Sequence, residues 1–287
     1  MKKIFAFIIA SFLAISCVGM AYSQESVSSG IKKWLSDKAD GIKRISEKKK
    51  ITLTPGEKNK NSERKNSKSQ EENAVQENID ETGIAKLLYM GHGSLRITTS
   101  EGKIIYIDPF AGDEKMYSPS ADLILLTHKH FDHVQTDKIK NRNEDCQTIT
   151  WKEALKDGRH QSFDLGYAKI EAVEAGYNKN HDVKECVGYI ITLSDGKSVY
   201  VSGDTSTTKQ MPQLAEKNID YAFFCADGTY NMDLDEAAEC ARLVKAKHNI
   251  PYHIISKQGV FFDRSRAEQF NAPDRLIIDE GEEIEIK

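Results

Sequence analysis

The stretch Thr127-His128-Lys129-His130-Phe131-Asp132-His133 gathers three imidazoles and one carboxylate within seven positions. It follows the apolar run Leu123-Ile124-Leu125-Leu126, which reads as a buried strand. Neutral imidazole nitrogen and carboxylate oxygen are the donors that hold zinc-like cations. In an extended segment, residues i and i+2 point to the same side, so His128 and His130 would grip one ion. Asp132 and His133 come after the chain turns and would face a second ion.

Further donors lie downstream. Val201-Ser202-Gly203-Asp204-Thr205 ends a strand with glycine and then aspartate. Each oxygen of a carboxylate carries lone pairs, so Asp204 could bridge two ions. Standing alone it would read as a helix cap before Thr208. His253 ends Ile250-Pro251-Tyr252-His253. Its neighbour His248 falls on the preceding loop or helix end, where a cation favours the helix dipole. Two histidines compete for the last position. His181 closes Ala175-Gly176-Tyr177-Asn178-Lys179-Asn180-His181, and His160 lies on a loop rich in Lys, Arg and Gly. Spacing does not choose between them.

The pattern H-x-H-x-D-H after a hydrophobic strand resembles the metallo-β-lactamase superfamily of metal-dependent hydrolases, over about residues 84–287. Within it, the chain looks most like the branch that holds the ascorbate-phosphate lactonase and its relatives. The resemblance implies an α/β (α+β) fold, an αββα sandwich of two mixed β-sheets flanked by helices, with metals at one edge. It implies that His128, His130 and His181 hold one ion, that Asp132, His133 and His253 hold the other, and that Asp204 bridges them. It favours His181 over His160, because the branch carries a similar Tyr-Asn followed by His. His92 sits in Gly91-His92-Gly93-Ser94, like a Gly-His-x-Ser turn of the branch. There it would line the pocket, donate to Asp108, or be purely structural. The likeness extends to Asp227-Gly228-Thr229-Tyr230-Asn231-Met232, which places Asp227, Tyr230 and Asn231 at the border of a substrate pocket. The alternative is a turn that needs Gly228 for its backbone.

Nitrogen and oxygen donors without thiolate suit two zinc ions, and also manganese or iron. Such a pair lowers the pKa of a bridging water to about 7. The implied activity is hydrolysis of a lactone, ester, amide or phosphoester, with Asp132 and Asp204 as catalytic carboxylates. Hydrolysis of a β-lactam is an alternative. A non-catalytic binding protein on the same fold would be signalled by a missing ligand, and every position has a candidate.

Elements must place these residues. Strands are expected over 85–90, 95–99, 103–107, 122–126 and 168–174, then a hairpin of 186–193 and 198–201 turning at Asp195-Gly196. Further strands are expected over 220–225, 250–254, 276–278 and 283–286. Helices are expected over 132–139, 208–216, 233–247 (Asp233-Leu234-Asp235-Glu236 resembles a capping box) and 264–270. Between 140 and 167 the signals are weak.

Length and charge bound the rest. The 287 residues carry a net charge of −4. Residues 83–287, read as the hydrolase domain, hold 25 basic and 33 acidic residues, which argues against a nucleic-acid partner. Met1-Lys2-Lys3, an apolar run to Val18 and Ala21-Tyr22-Ser23 read as a signal peptide over 1–23. An acylated Cys17 and an uncleaved anchor are the rival readings. Export to the periplasm or beyond follows. Residues 24–82 read as a tether. Val27, Ile31, Trp34, Leu35, Ile42 and Ile45 recur at helical spacing among lysines, so residues 27–50 form either a membrane-surface helix or a marginal one. Cys146, Cys186, Cys225 and Cys240 fit no zinc knuckle, and a buried thiol behaves as a small hydrophobe.

Overall fold

Short runs rich in β-branched and aromatic residues, buried on both faces, build the molecule. A computed structural model describes residues 83–255 and 260–287. The signal-peptide, Cys17 and membrane-helix readings lie outside the described residues. The strands begin with β1 (Lys86–Gly91), β2 (Ser94–Thr98), β3 (Ile104–Ile107), β4 (Ala121–Leu125) and β5 (Arg142–Ile149). Next come the small pair β6 (Leu155–Lys156) and β7 (Arg159–His160), then β8 (Ser162–Asp164) and β9 (Ala168–Glu174). The series ends with β10 (Val187–Leu193), β11 (Ser198–Val201), β12 (Tyr221–Cys225), β13 (His248–Tyr252) and β14 (Glu283–Glu285).

Two mixed sheets result, in the orders β14-β1-β2-β3-β4-β5 and β13-β12-β11-β10-β9-β8. Each is antiparallel on one side and parallel on the other: β3–β4–β5 in the first and β11–β12–β13 in the second. Tyr89, Ile97, Ile107 and Leu123 of the first sheet share one buried cluster with Tyr189, Ile191, Val199 and Phe223 of the second. Each such side chain contributes about 1.5–3 kcal/mol by leaving water. Alternate residues of the first sheet, Leu88, Met90, Tyr106 and Ile124, form a second cluster with Tyr117 and Ile139, as a period of two requires. This is the sandwich the resemblance implied.

Strand direction decides where the chemistry gathers. Two antiparallel pairings separate β1 from β3, so both run the same way, and β4 is parallel to β3. The same count aligns β9 with β11, β12 and β13. The segments carrying His92, Asp108, the 127–133 loop, His181, Asp204, Asp227 and His253 therefore all leave the carboxyl ends of like-directed strands.

The helices are shorter than the sequence suggests: α1 (Trp151–Ala154), α2 (Met211–Leu214), α3 (Leu234–Val244) and α4 (Arg264–Ala267). The helix expected over 132–139 is a turn and one 3-10 turn, Thr136–Lys138. Gln135 donates its N–H to the Pro109 carbonyl at 2.9 Å, outside any helical ladder. The helix expected over 208–216 starts late, with Pro212 in its first turn. α3 stops at Lys245, which is left-handed at φ 57°. The Asp233 side chain caps Glu236 N–H. Glu236 itself accepts from Thr207 rather than closing the box. The strand expected over 250–254 begins earlier, because His248 pairs with Tyr221. No strand covers 276–278, where Arg275 alone bridges Asn249. The four cysteines 146, 186, 225 and 240 are free thiols. No helix among the described residues is long and apolar enough to cross a membrane.

Gly203 turns the chain from β11 into Asp204 with φ 61°. A Cβ there would meet the Val187 carbonyl oxygen at 2.7 Å and the Thr127 Cβ at 3.0 Å. Gly203→Ala is expected to cost about 2 kcal/mol or more, from backbone strain and overpacking together. Urea denaturation against the parent chain measures it.

Candidate metal centre

Asp204 lies at the centre, buried, with histidines on two sides. Its Oδ2 stands 3.2 Å from His181 Nε2 and 3.9 Å from His128 Nε2. Its Oδ1 stands 3.4 Å from His253 Nε2 and 3.5 Å from His133 Nε2. Three donor clusters share this space: His128, His130 and His181; His92, Asp132, His133 and His253; and His128, His133 and Asp204. Within each, one donor atom per residue lies within 4.8 Å of the others. His160, the rival to His181, sits on β7 and joins none of them.

The outward nitrogens show which nitrogen each ring offers inward. His133 Nδ1 lies 2.8 Å from Asp108 Oδ2, and an ionised carboxylate only accepts, so Nδ1 donates. The Thr127 hydroxyl donates to the same oxygen at 2.6 Å, so it accepts from His128 Nδ1 at 3.0 Å. Asn178 Oδ1 accepts from His181 Nδ1 at 3.0 Å. Asp227 Oδ2 faces His253 Nδ1 at 3.4 Å. Four Nε2 atoms are thereby aimed at Asp204. Those of His128, His133 and His253, with Asp204 Oδ1, are buried without a hydrogen-bond partner. Buried polar atoms are rarely left so. The group that fits this donor set is a cation held by nitrogen and oxygen. Outer partners of this kind are what metal-ligating histidines use to fix their tautomer.

Local structure holds the rings. Asp108 ends β3 with φ 45°, and its Oδ1 also accepts Thr127 N–H at 2.8 Å. His92 and His253 are left-handed at φ 51° and 58°, and His253 N–H donates to the His92 carbonyl. Strained backbone of this kind concentrates at functional sites. Gly93 must lack a side chain, because a Cβ would come 2.8 Å from His133 Cε1.

Charge follows position. Burial alone would lower His133, but Asp204 and Asp108 push it up to about 9. Burial, and then His133, push His128 well below the usual imidazole range. Burial, with His253 beside it, lowers His92 to about 4. Burial opposes ionisation of Asp204, yet His253 and His133 hold it far below an ordinary carboxylate.

Several expectations change here. His92 does not reach Asp108. It bonds Asp132 Oδ2 at 2.9 Å, and His133 takes Asp108 instead. Asp227 does not point into open space. It is buried, with Oδ1 accepting from Thr229, Tyr230 and Asn231 N–H and Oδ2 from the Asn231 amide. Both residues therefore serve the loop behind His253. Tyr230 is exposed, and its carbonyl accepts from Asn180. Asp108, Thr127 and Asn178 were not expected as site residues. For Asp108 the signal was an acid ending an apolar strand next to the metal-loop strand.

A sandwich of two mixed sheets, with histidines and aspartates gathered at one edge, defines a class of metal-dependent hydrolases. The family described as Beta-lactamase superfamily domain matches residues 86–253. The chain belongs to that metallo-β-lactamase superfamily and is a metal-dependent hydrolase. A UPF0173 metal-dependent hydrolase of Geobacillus sp. (strain WCH70) is 31% identical over 192 residues, 58% of this chain and 84% of the relative. A solved candidate metal-dependent hydrolase of Parabacteroides distasonis ATCC 8503 is 29% identical at a TM-score of 0.55, covering 68% of this chain and 92% of that one. A metallo hydrolase of Ignicoccus hospitalis KIN4/I, 21% identical at a TM-score of 0.56, covers 71% and 98% and shares the fold.

In metal-free protein, His133 titrates above its unfolded value of 6.5. The stability it adds is full below pH 6.5 and is lost as pH rises through about 9. Asp108→Asn removes a cause of the shift, so its His133 is expected to titrate lower and the alkaline loss to move to lower pH. NMR titration of the ring and urea midpoints between pH 6 and 10 read both effects.

Proposed function

We propose that the chain is an exported hydrolase with two divalent cations, zinc by preference, acting on a lactone, ester, amide or phosphoester. The observation that carries the two-ion reading is the division of histidines between the Asp204 oxygens. His128 and His181 face Oδ2, whereas His133 and His253 face Oδ1. His130 joins the first set, its Nδ1 lying 3.2 Å from His181 Nε2, and Asp132 joins the second. Two such cations would generate hydroxide near neutral pH and stabilise the negative charge that develops on the attacked group.

The chain's own residues do the rest. Asp204 keeps the two histidine sets apart and neutralises part of the charge between them. Asp108, Thr127 and Asn178 hold their rings so that Nε2 is the nitrogen that faces inward, and Asp227 stands behind His253. Asp132 is 23% exposed, so it meets both the site and solvent. His92 pins one of its oxygens, and the other would face the second cation, where it would also orient a water. The basic and apolar start of the sequence supports export, and the lysine-rich helix pattern of residues 27–50 supports contact with an anionic membrane surface.

Elemental analysis of the full chain tests the centre. Close to two ions per chain are expected, with Asp204→Ala losing both, His181→Ala losing about one and His160→Ala losing none. One ion per chain in the parent protein would reject the dinuclear reading. Hydrolysis of lactones, phosphodiesters and β-lactams, abolished by chelation and restored by zinc or manganese, then sorts the substrate classes. Metal uptake is expected to weaken as pH falls below about 9, since His133 must release its proton.

A further inference from the structure

Phe131 is 71% exposed, yet it lies between His130 and Asp132 on the metal loop. A single exposed apolar ring is ordinary, and meaning attaches to a contiguous apolar surface. Phe131 does not stand alone. Its ring meets Phe110 edge-on at 5.8 Å and 88°, and Phe110 meets Phe261 at 5.2 Å and 73°. Phe110 and Phe261 both reach His92, at 5.3 and 6.0 Å. His92 in turn holds Asp132. The three rings form a row that begins at the metal-ligand cluster and ends in solvent.

The row is held in place. Phe110 N–H lies 3.0 Å from both the Ser94 and the Tyr117 hydroxyl. Lys138 Nζ donates to the Phe110 and Gly112 carbonyls at 2.5 and 3.0 Å. The Phe110 backbone is therefore held on both its N–H and its carbonyl. Beyond it, Phe131 and Val134 border a cleft of about 640 Å³ whose rim carries Glu114, Asp137 and Lys140. The flank beside His128, His130 and His181 differs: it opens onto Tyr177, Lys179 and Asn180. Phe131 and Val134 are the apolar residues of the first cleft, whose other lining residues are charged or amide side chains.

We propose that the row of Phe110, Phe131 and Phe261 binds an alkyl or aryl group of the substrate beside the bond to be broken, with Phe131 as the specificity-determining residue. This rests on the metal centre proposed above. Hydrocarbon is the occupant because the row starts at His92 and Asp132, so a substrate group lying over Asp132 meets aromatic carbon on that side. Aromatic faces and edges favour hydrocarbon and gain little from hydroxyls or phosphate.

Hydroxamates separate the two ideas, because their head group chelates metal whichever bond the enzyme cleaves. Metal-loaded full-length protein is titrated by calorimetry with acetohydroxamate, hexanohydroxamate and phenylacetohydroxamate. The two longer compounds are expected to bind about tenfold tighter than acetohydroxamate. That gain is expected to vanish in Phe131→Ser and largely survive in Phe131→Leu. Metal content and acetohydroxamate affinity should be unchanged in both variants. Equal affinity for all three compounds would overturn the row while leaving the centre standing, as would a tail gain that survives Phe131→Ser. Failure of all three to bind metal-loaded protein would overturn both readings.

Discussion

Asp204 is a carboxylate buried among imidazoles, and much of the surrounding structure exists to make that tolerable. A buried charge is costly unless it is paired. Its oxygens lie 3.2 to 3.9 Å from four histidine nitrogens. Those nitrogens must not pair among themselves or turn outward. Three rings are accordingly tied by the other nitrogen to Asp108, Thr127 or Asn178, and behind the fourth Asp227 Oδ2 stands 3.4 Å from His253 Nδ1. Asp108 reaches furthest. One oxygen accepts hydrogen bonds from His133 and from Thr127, and through Thr127 it also sets His128.

The strands make those ties cheap to arrange. Parallel pairing places the end of β3 beside the end of β4, so Asp108 meets Thr127 without a long excursion. Parallel pairing of β11, β12 and β13 does the same for Asp204, Asp227 and His253. The lone-pair geometry is thus fixed by sheet direction, and the loops supply only the side chains.

Much of this was legible in the sequence, for physical reasons. The 127–133 cluster is local, and three imidazoles at the end of one apolar run have few other uses. Asp204 and His253 show as polar residues that close apolar strands. His181 could not be separated from His160 by spacing, because a long loop delivers it; the resemblance chose it. Asp108 and Asp227 were placed by their neighbours across the sheet, and a linear chain does not display those. The edge strand β5 was missed because its side chains are mostly exposed, so no hydrophobic alternation marks it. Helix ends slipped where single bonds intervened, such as that from Gln135 to Pro109.

The donors span the chain from His92 to His253 and come from both sheets. Neither sheet alone can present a complete set for either cluster: His128 and His130 need His181, and His133 needs His253. Folding must therefore finish its long-range pairings, which close late in chains of high contact order, before a cation meets its full set of partners. Metal capture then marks completed folding. A chain that stalls with only the first sheet formed offers His128 and His130 without His181, and His92, Asp132 and His133 without His253.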